Sequence, residues 1–431
     1  MYREAPRDPT RLPWMPYRVW GWRLEFGLIV VTSVALELAH KYLGHMGPDL
    51  VGVVIVGSLI AFRKLRRAIK SGIVKNHREI RLQAVLWSCE VVGRAGTLPV
   101  VKSVKELPAG LTYVLGLPTG IYLESLERQL PELAVGLDAR SVRVRPSLET
   151  ARVVELTVLR KDPFARPITS PLLTAERTLL WDPITLGTGE DGAPVTVGLV
   201  EHSFLIGGES GSGKSVALAS IVGAAALDPH VNLTLFDGKE VELAAWRDVA
   251  DRFVGSSLDE AVRVLEDLQQ MMNERFHVLA ANRRRKLQRD DVDGLEMVVI
   301  DELALFLRGG ERATRERFAE LLRDLLARGR AAGIIVVAAT QKPSHEVVPT
   351  FIRDLFSYRL AMRCATRDAS DTILGQGWAA EGYSASSIDP AQRGVGFLLA
   401  EGGVPVQLRT ANLDDDEIDW VVERAIELRR V

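Results

Sequence analysis

The chain has 431 residues, 47% of them apolar, and a formal net charge of −2. That length exceeds one ordinary domain and fits two or three, and the composition excludes disordered and collagen-like chains. Near neutrality excludes a surface that is basic all round, so any contact with nucleic acid has to come from local basic segments.

The N-terminal segment, residues 1–23, shows no cleavable leader, because the apolar stretch comes late and no small-residue cleavage site follows it. Two apolar runs come next, LEFGLIVVTSVALELAHKYL over 24–43 and MGPDLVGVVIVGSLIAF over 46–62. A bilayer-spanning helix needs ~20 apolar residues. Arg11, Arg18 and Arg23 precede the pair; Arg63, Lys64, Arg66, Arg67 and Lys70 follow it. Basic flanks on both sides place both ends in the cytoplasm, so residues 24–62 read as a transmembrane helical hairpin. The second run is short and the first carries Glu37, so a buried hairpin of a soluble domain stays open. Residues 63–95 form a basic juxtamembrane linker, helical over its first part, as a solvated face or a stretch drawn to anionic lipid.

Over 96–165, LTYVLGLPTG reads as strand and turn, ESLERQLPELAVGL has helical spacing, and VRVRP and ARVVELTVLR alternate like strands. This is a small α/β domain with no evident chemistry. Pro163, Pro167 and Pro171 mark a linker. From 175 to 412 the short apolar runs SFLI, NLTLFD, MVVID, GIIVVAAT and YRLAMRC alternate with helical patterns. That is the signature of a buried parallel sheet with crossover helices. Residues 413–431 end the chain as a helix. The two cysteines, Cys89 and Cys364, and the seven histidines fit neither a disulfide framework nor a metal-ligand spacing.

The strongest motif is Gly208-Glu209-Ser210-Gly211-Ser212-Gly213-Lys214-Ser215, which fits G-x-x-x-x-G-K-[ST] between a strand and a helix. Glycines let the backbone curl so that N–H groups point at phosphate oxygens, and the helix N-terminus adds its dipole. Lys214 is expected to reach the β/γ-phosphates of ATP, and the Ser215 hydroxyl to ligate Mg²⁺. In MVVIDE an apolar strand ends in Asp301 and Glu302. Asp301 is placed to hold Mg²⁺ beside Ser215, and Glu302 to polarise the attacking water. A third strand ends in Thr340 and Gln341, and Gln341 is placed to sense the γ-phosphate from the ligand-binding end of a parallel sheet. Arg328 and Arg330 precede this strand, and Arg359 and Arg363 lie on the next; each is a candidate, Arg330 and Arg359 first, for an arginine supplied to a neighbouring subunit's phosphoryl group. The basic run Asn282–Lys286 with Arg289 is either a solvated helix end or a phosphate-contacting loop.

Together these residues resemble the FtsK/SpoIIIE family of DNA translocases. GGESGSGKS is similar to its GxTGSGKS loop, FDGKEVEL to IDPKxVEL, MNERFHVLA to EMERRYxLL and VVIDELALFL to VVIDExADLM. ARGRAAGIIVVAATQKPS and YRLAMRCATRDASDTILGQ extend the likeness. The resemblance implies a RecA-like P-loop ATPase motor preceded by a small α/β domain, assembled as a homo-hexamer that threads double-stranded DNA. It implies a cell-membrane protein with a cytoplasmic motor, most like the conjugative-transfer branch that moves plasmid or integrative-element DNA. Two departures matter. Gly238 stands where the family has proline, which is expected to loosen that turn. The chain ends at Val431 without a winged-helix domain, so sequence-directed polarity is expected to need a separate DNA-recognition protein. A protein-export ATPase of type VII secretion is the alternative from another class. A pump for single-stranded DNA would need stacking platforms or an inserted helical domain, neither of which is visible. The intact Lys214, Asp301 and Glu302 speak against a non-hydrolytic scaffold.

Overall fold

A computed structural model describes residues 23–43, 51, 63–147, 150–291, 294–341 and 348–430. The chain divides into two compact units between Asp162 and Pro163.

The first unit contains helices α1 (Arg23–Leu43) and α2 (Arg63–Ser88), strands β1 (Val100–Leu107) and β2 (Gly110–Gly116), short helices α3 (Leu123–Arg128) and α4 (Leu130–Gly136), and strands β3 (Ser141–Pro146) and β4 (Val153–Leu159). The strands form an antiparallel sheet ordered β1-β2-β4-β3. Alternation decides which face is covered. Leu111, Tyr113 and Leu115 of β2 pair with Val158, Leu156 and Val154 of β4 on the buried face. Leu82 and Leu86 of α2, Leu126 of α3 and Leu133 of α4 close the core at 0% exposure. The domain therefore starts earlier than residue 96: the second half of the expected linker is a core helix, because its apolar residues recur at i, i+3 and i+4.

Among the described residues no helix is long and apolar enough to cross a membrane. α1 covers the first limb of the hairpin expected over 24–62 and carries Arg23, Glu25, Glu37 and Lys41. The second limb, apart from Val51, lies outside the described residues.

The second unit opens with β5 (Ile168–Thr169), β6 (Ile184–Gly189), β7 (Pro194–Val197) and β8 (Phe204–Gly207). Then come α5 (Lys214–Ala226), β9 (Val231–Phe236), β10 (Arg252–Val254), α6 (Leu258–Ala281) and β11 (Leu295–Ile300). They are followed by α7 (Leu303–Arg308), α8 (Arg312–Arg328), β12 (Ile334–Thr340), α9 (Thr350–Arg353) and β13 (Tyr358–Met362). The unit ends with α10 (Arg367–Leu374), β14 (Val395–Leu399), β15 (Val406–Asn412) and α11 (Asp415–Arg429). Its sheet runs β10-β9-β11-β12-β8-β13-β14-β15-β6-β7, with β5 beside β15.

From β10 to β13 the strands are parallel. From β13 to β7 they are antiparallel, with β5 parallel to β15, so the parallel sheet read from the sequence is corrected to a mixed one. β14 and β15 follow one another through a short turn, and a short connection cannot join parallel neighbours. Both faces of the parallel part are covered, which is why its strands are continuously apolar. Met297, Val299, Ile335 and Val337 face α5 and α11; Val298, Ile300, Val336 and Ala338 face α6 and α8. Ser257 caps α6 by accepting from the Glu260 N–H at 3.3 Å, and Asp414 with Glu417 forms a reciprocal cap on α11.

The sheet order positions the site. β12 lies between β8, which leads into the phosphate loop, and β11, which ends in the acidic pair. The acids are thereby set two strands from the loop, with the end of β12 between them.

Candidate nucleotide site

The loop from β8 to α5 bends through two glycines in left-handed backbone conformations, Gly211 at φ +75° and Gly213 at φ +105°. A Cβ at Gly213 would lie 2.6 Å from the Gly394 nitrogen, so only glycine fits there. The loop is fastened on several sides. Gly208 N–H donates to the Thr340 carbonyl at 3.3 Å, and Glu209 N–H to the Arg363 carbonyl at 3.0 Å. Gly394 N–H donates to the Ser212 carbonyl at 3.0 Å, and Arg393 Nε to the Gly211 carbonyl at 3.2 Å. The Glu209 carboxylate forms an ion pair with Arg363.

Lys214 opens α5 and is only 8% exposed. Burial pushes its pKa down, opposed by the carboxylates of Glu302, Asp301 and Glu242. Ser215 follows at the first turn of α5 and is exposed. Asp301 and Glu302 are buried at the carboxyl end of β11. Burial first, then the neighbouring Glu242 and Asp237, raises the Asp301 pKa to about 7. Glu302 is oriented by the Gln341 backbone N–H, which approaches its two carboxylate oxygens at 3.2 and 3.1 Å. Gln341 thus holds Glu302 through its main chain, and it lines a cavity of about 420 Å³ with Glu302, Lys239 and Arg308.

Three buried oxygens here have no hydrogen-bond partner among the described residues: Ser212 Oγ, Asp301 Oδ2 and Thr340 Oγ1. Leaving a buried polar atom unpaired costs about 1–3 kcal/mol, so such atoms cluster where a ligand completes them. Beside a desolvated lysine at the start of a helix that follows a glycine loop, these oxygens fit a polyphosphate site. Ser215 and Asp301 supply the oxygen ligands that a hard divalent cation such as Mg²⁺ takes.

Sequence reasoning missed part of the site. Asp237 holds its turn by accepting from Lys239, Glu240 and Leu243 N–H groups at 3.2, 2.9 and 2.8 Å. Gly238 therefore does not loosen the turn, because the Asp237 carboxylate fixes it. That turn brings Lys239 and Glu242 to the acids, a role for FDGKEVEL that only resemblance had flagged. Arg393 had no signal at all: it is 182 residues from Gly211. Cys364, beside the loop, is kept a thiol by burial, its pKa raised to about 12.

Two nominated arginines lie elsewhere. Arg359 is level with Leu205 in the β13–β8 register, three residues before the loop begins at Gly208. That is about 10 Å along the strand at ~3.3 Å per residue. Arg330 precedes β12. Both line a cavity of about 590 Å³ at the amino edge of the sheet, with His202, Asp354, Trp378 and Glu401. Neither belongs to the phosphate site of its own chain. The basic run also lies away from the loop: Arg284 pairs with Asp291, Lys286 with Glu201, and Arg289 with Asp182.

The fold and the site define a P-loop nucleoside triphosphatase with its acidic strand separated from the loop strand. The family model of the FtsK/SpoIIIE family matches residues 172–376, which lie within the second unit. The DNA translocase FtsK of Staphylococcus aureus is 25% identical over 354 residues, covering 76% of this chain and 43% of that protein. The DNA translocase FtsK of Lactococcus lactis subsp. cremoris is 26% identical over 351 residues, covering 75% and 44%. The chain thus spans less than half the length of the curated relatives it matches. Among solved structures, the monomer form of the pCW3 conjugation coupling protein TcpA with ATPgS aligns at a TM-score of 0.54 and 20% identity, over 82% of this chain and 99% of that one. ATPases 2 and 3 of EssC from Geobacillus thermodenitrificans align at 0.51 and 14% identity, over 61% and 52%. At these identities the likeness is one of fold.

Proposed function

We propose that this protein hydrolyses ATP to move double-stranded DNA, working as a homo-hexamer anchored at the cell membrane. One observation carries the ATP reading: unpartnered buried oxygens of Ser212 in the glycine loop, Thr340 beside it and Asp301 in the field of the desolvated Lys214. The named activity of the FtsK relatives supports the DNA reading. The exposed Ile29, Val31, Val34 and Leu38 of α1, beside the apolar run of the sequence, support a membrane anchor. The coupling protein of like fold motivates conjugative transfer as the setting.

Each residue has a task. Loop N–H groups and Lys214 bind the phosphates, and Glu302, held by the Gln341 N–H, accepts the proton of the attacking water. Ser215 and Asp301 would hold Mg²⁺, which neutralises charge on the phosphate oxygens. Arg330 and Arg359 face away from their own loop, so any arginine they supply goes to a neighbour's nucleotide in a ring.

The test is ATP turnover by the full chain in detergent, with duplex DNA, with single strands and with neither, at low and high salt. Salt-sensitive stimulation by duplex alone is expected, since phosphate contacts release counterions. Turnover indifferent to DNA overturns the DNA reading and favours protein export.

A further inference from the structure

We infer that Arg393 is a phosphate-binding arginine of the nucleotide site, an assignment that rests on the nucleotide reading above. The turn carrying it is fastened to the phosphate loop at three points. Arg393 Nε donates to the Gly211 carbonyl at 3.2 Å, Gly394 N–H donates to the Ser212 carbonyl at 3.0 Å, and Gly394 abuts Gly213 too closely for any Cβ. From the other side, the Thr410 N–H and hydroxyl hold the Gly394 carbonyl at 2.8 and 3.2 Å. The guanidinium is therefore placed on the rim of the loop by the backbone on both sides of it.

Its charge is uncommitted. Arg363 also reaches the loop, but the Glu209 carboxylate neutralises it. Arg330 and Arg359, at the other edge, face carboxylates at 4.0 and 3.6 Å. Arg393 makes one bond, to a carbonyl, and has no carboxylate partner among the described residues. A guanidinium has five N–H donors, so four remain for a ligand. A planar cation at the edge of an anion-binding loop matches a phosphate oxyanion of a nucleoside triphosphate.

The experiment compares full-chain wild type with Arg393→Ala, Arg393→Lys and Lys214→Ala. The readouts are binding of Mg·ATP, competition by magnesium tripolyphosphate, which lacks base and sugar, and melting without nucleotide. Arg393→Ala is expected to weaken ATP and tripolyphosphate alike by about tenfold, the size of one charge-assisted contact. Arg393→Lys recovers part of that loss, and nucleotide-free melting stays within about 1 °C. Unchanged ATP affinity overturns the assignment. So does loss for ATP without loss for tripolyphosphate, or a loss matched by lower nucleotide-free melting. Lys214→Ala separates the two readings: if it too binds ATP normally, the nucleotide site itself is wrong. If it alone loses ATP, only the arginine is.

Discussion

The two edges of the larger sheet treat charge in opposite ways. At the amino edge, Arg330, Arg359, Lys286 and Arg289 each face a carboxylate. At the carboxyl edge, a buried lysine and two buried acids stand around oxygens with no partner, and Asp301 is pushed up to about pKa 7. A folded chain normally pairs its buried polar groups. An edge that leaves them open is less stable on its own and is completed by a ligand. The contrast separates a site from a surface on the same sheet, although arginines populate both edges.

The largest expected effect tests the open edge. Lys214→Ala should lower ATP turnover by about 10³-fold, because a desolvated cation on developing phosphate charge is worth several kcal/mol. Steady-state hydrolysis checks it, and near-normal turnover would erase the contrast. Glu302→Gln should slow turnover by about 10²-fold or more while ATP still binds. Glutamine keeps an oxygen for the Gln341 N–H, so the fold of the site is preserved. Normal hydrolysis by this variant sinks the general-base role.

The paired edge should respond only in an assembly. Arg359→Ala should lose turnover by about tenfold or more, and mixing it with Lys214→Ala subunits should restore part of it. In the mixture one variant supplies the intact loop and the other the intact arginine. Absence of complementation reduces Arg359 to its ion pair with Asp354. Arg330→Ala, whose exposed side chain faces Glu401 at 4.0 Å, should change stability by less than about 0.5 kcal/mol.

A pH measurement sharpens the contrast from the stability side. Asp301 has a native pKa of about 7 against 3.8 for the free group. Between these values the native state holds a proton that the unfolded chain has released, so unfolding free energy falls as pH rises through this window and then levels. Asp301→Asn removes the penalty. Without metal or nucleotide it should melt a few degrees higher than wild type at pH 8, and the gain should vanish near pH 4. It should also be a poor ATPase. Equal melting at pH 8 would show that Asp301 carries no buried-charge cost.

Much of this was legible in the sequence, for a local reason. The loop is a contiguous string whose glycines and lysine act on their own neighbours. The strands announced themselves because both sheet faces are covered, which makes MVVI and GIIVVAA continuously apolar. The second half of α2 was less legible, since its basic first half dominates the composition and hides the Leu82 and Leu86 stripe. The turn at Asp237 was misread because a missing proline is visible in sequence, whereas three N–H groups converging on one carboxylate are not.

By itself the sequence determined the loop, the acidic strand end and the polar end of β12, because each is a short run whose chemistry needs only its neighbours in the chain. The tertiary structure alone decided how those runs meet. Inserting β12 between β8 and β11 put Glu302 on the Gln341 N–H. Placing β13 beside β8 and β14 beside β13 sent Arg363 and Arg393 to the phosphate loop and Arg359 to the opposite edge. Arg359 on β13 and Arg363 just past its end, four residues apart, lie at different ends of the sheet, and two residues 182 apart share a hydrogen bond. Strand order sets such distances, and it is fixed by the packing of the whole core rather than by any local run.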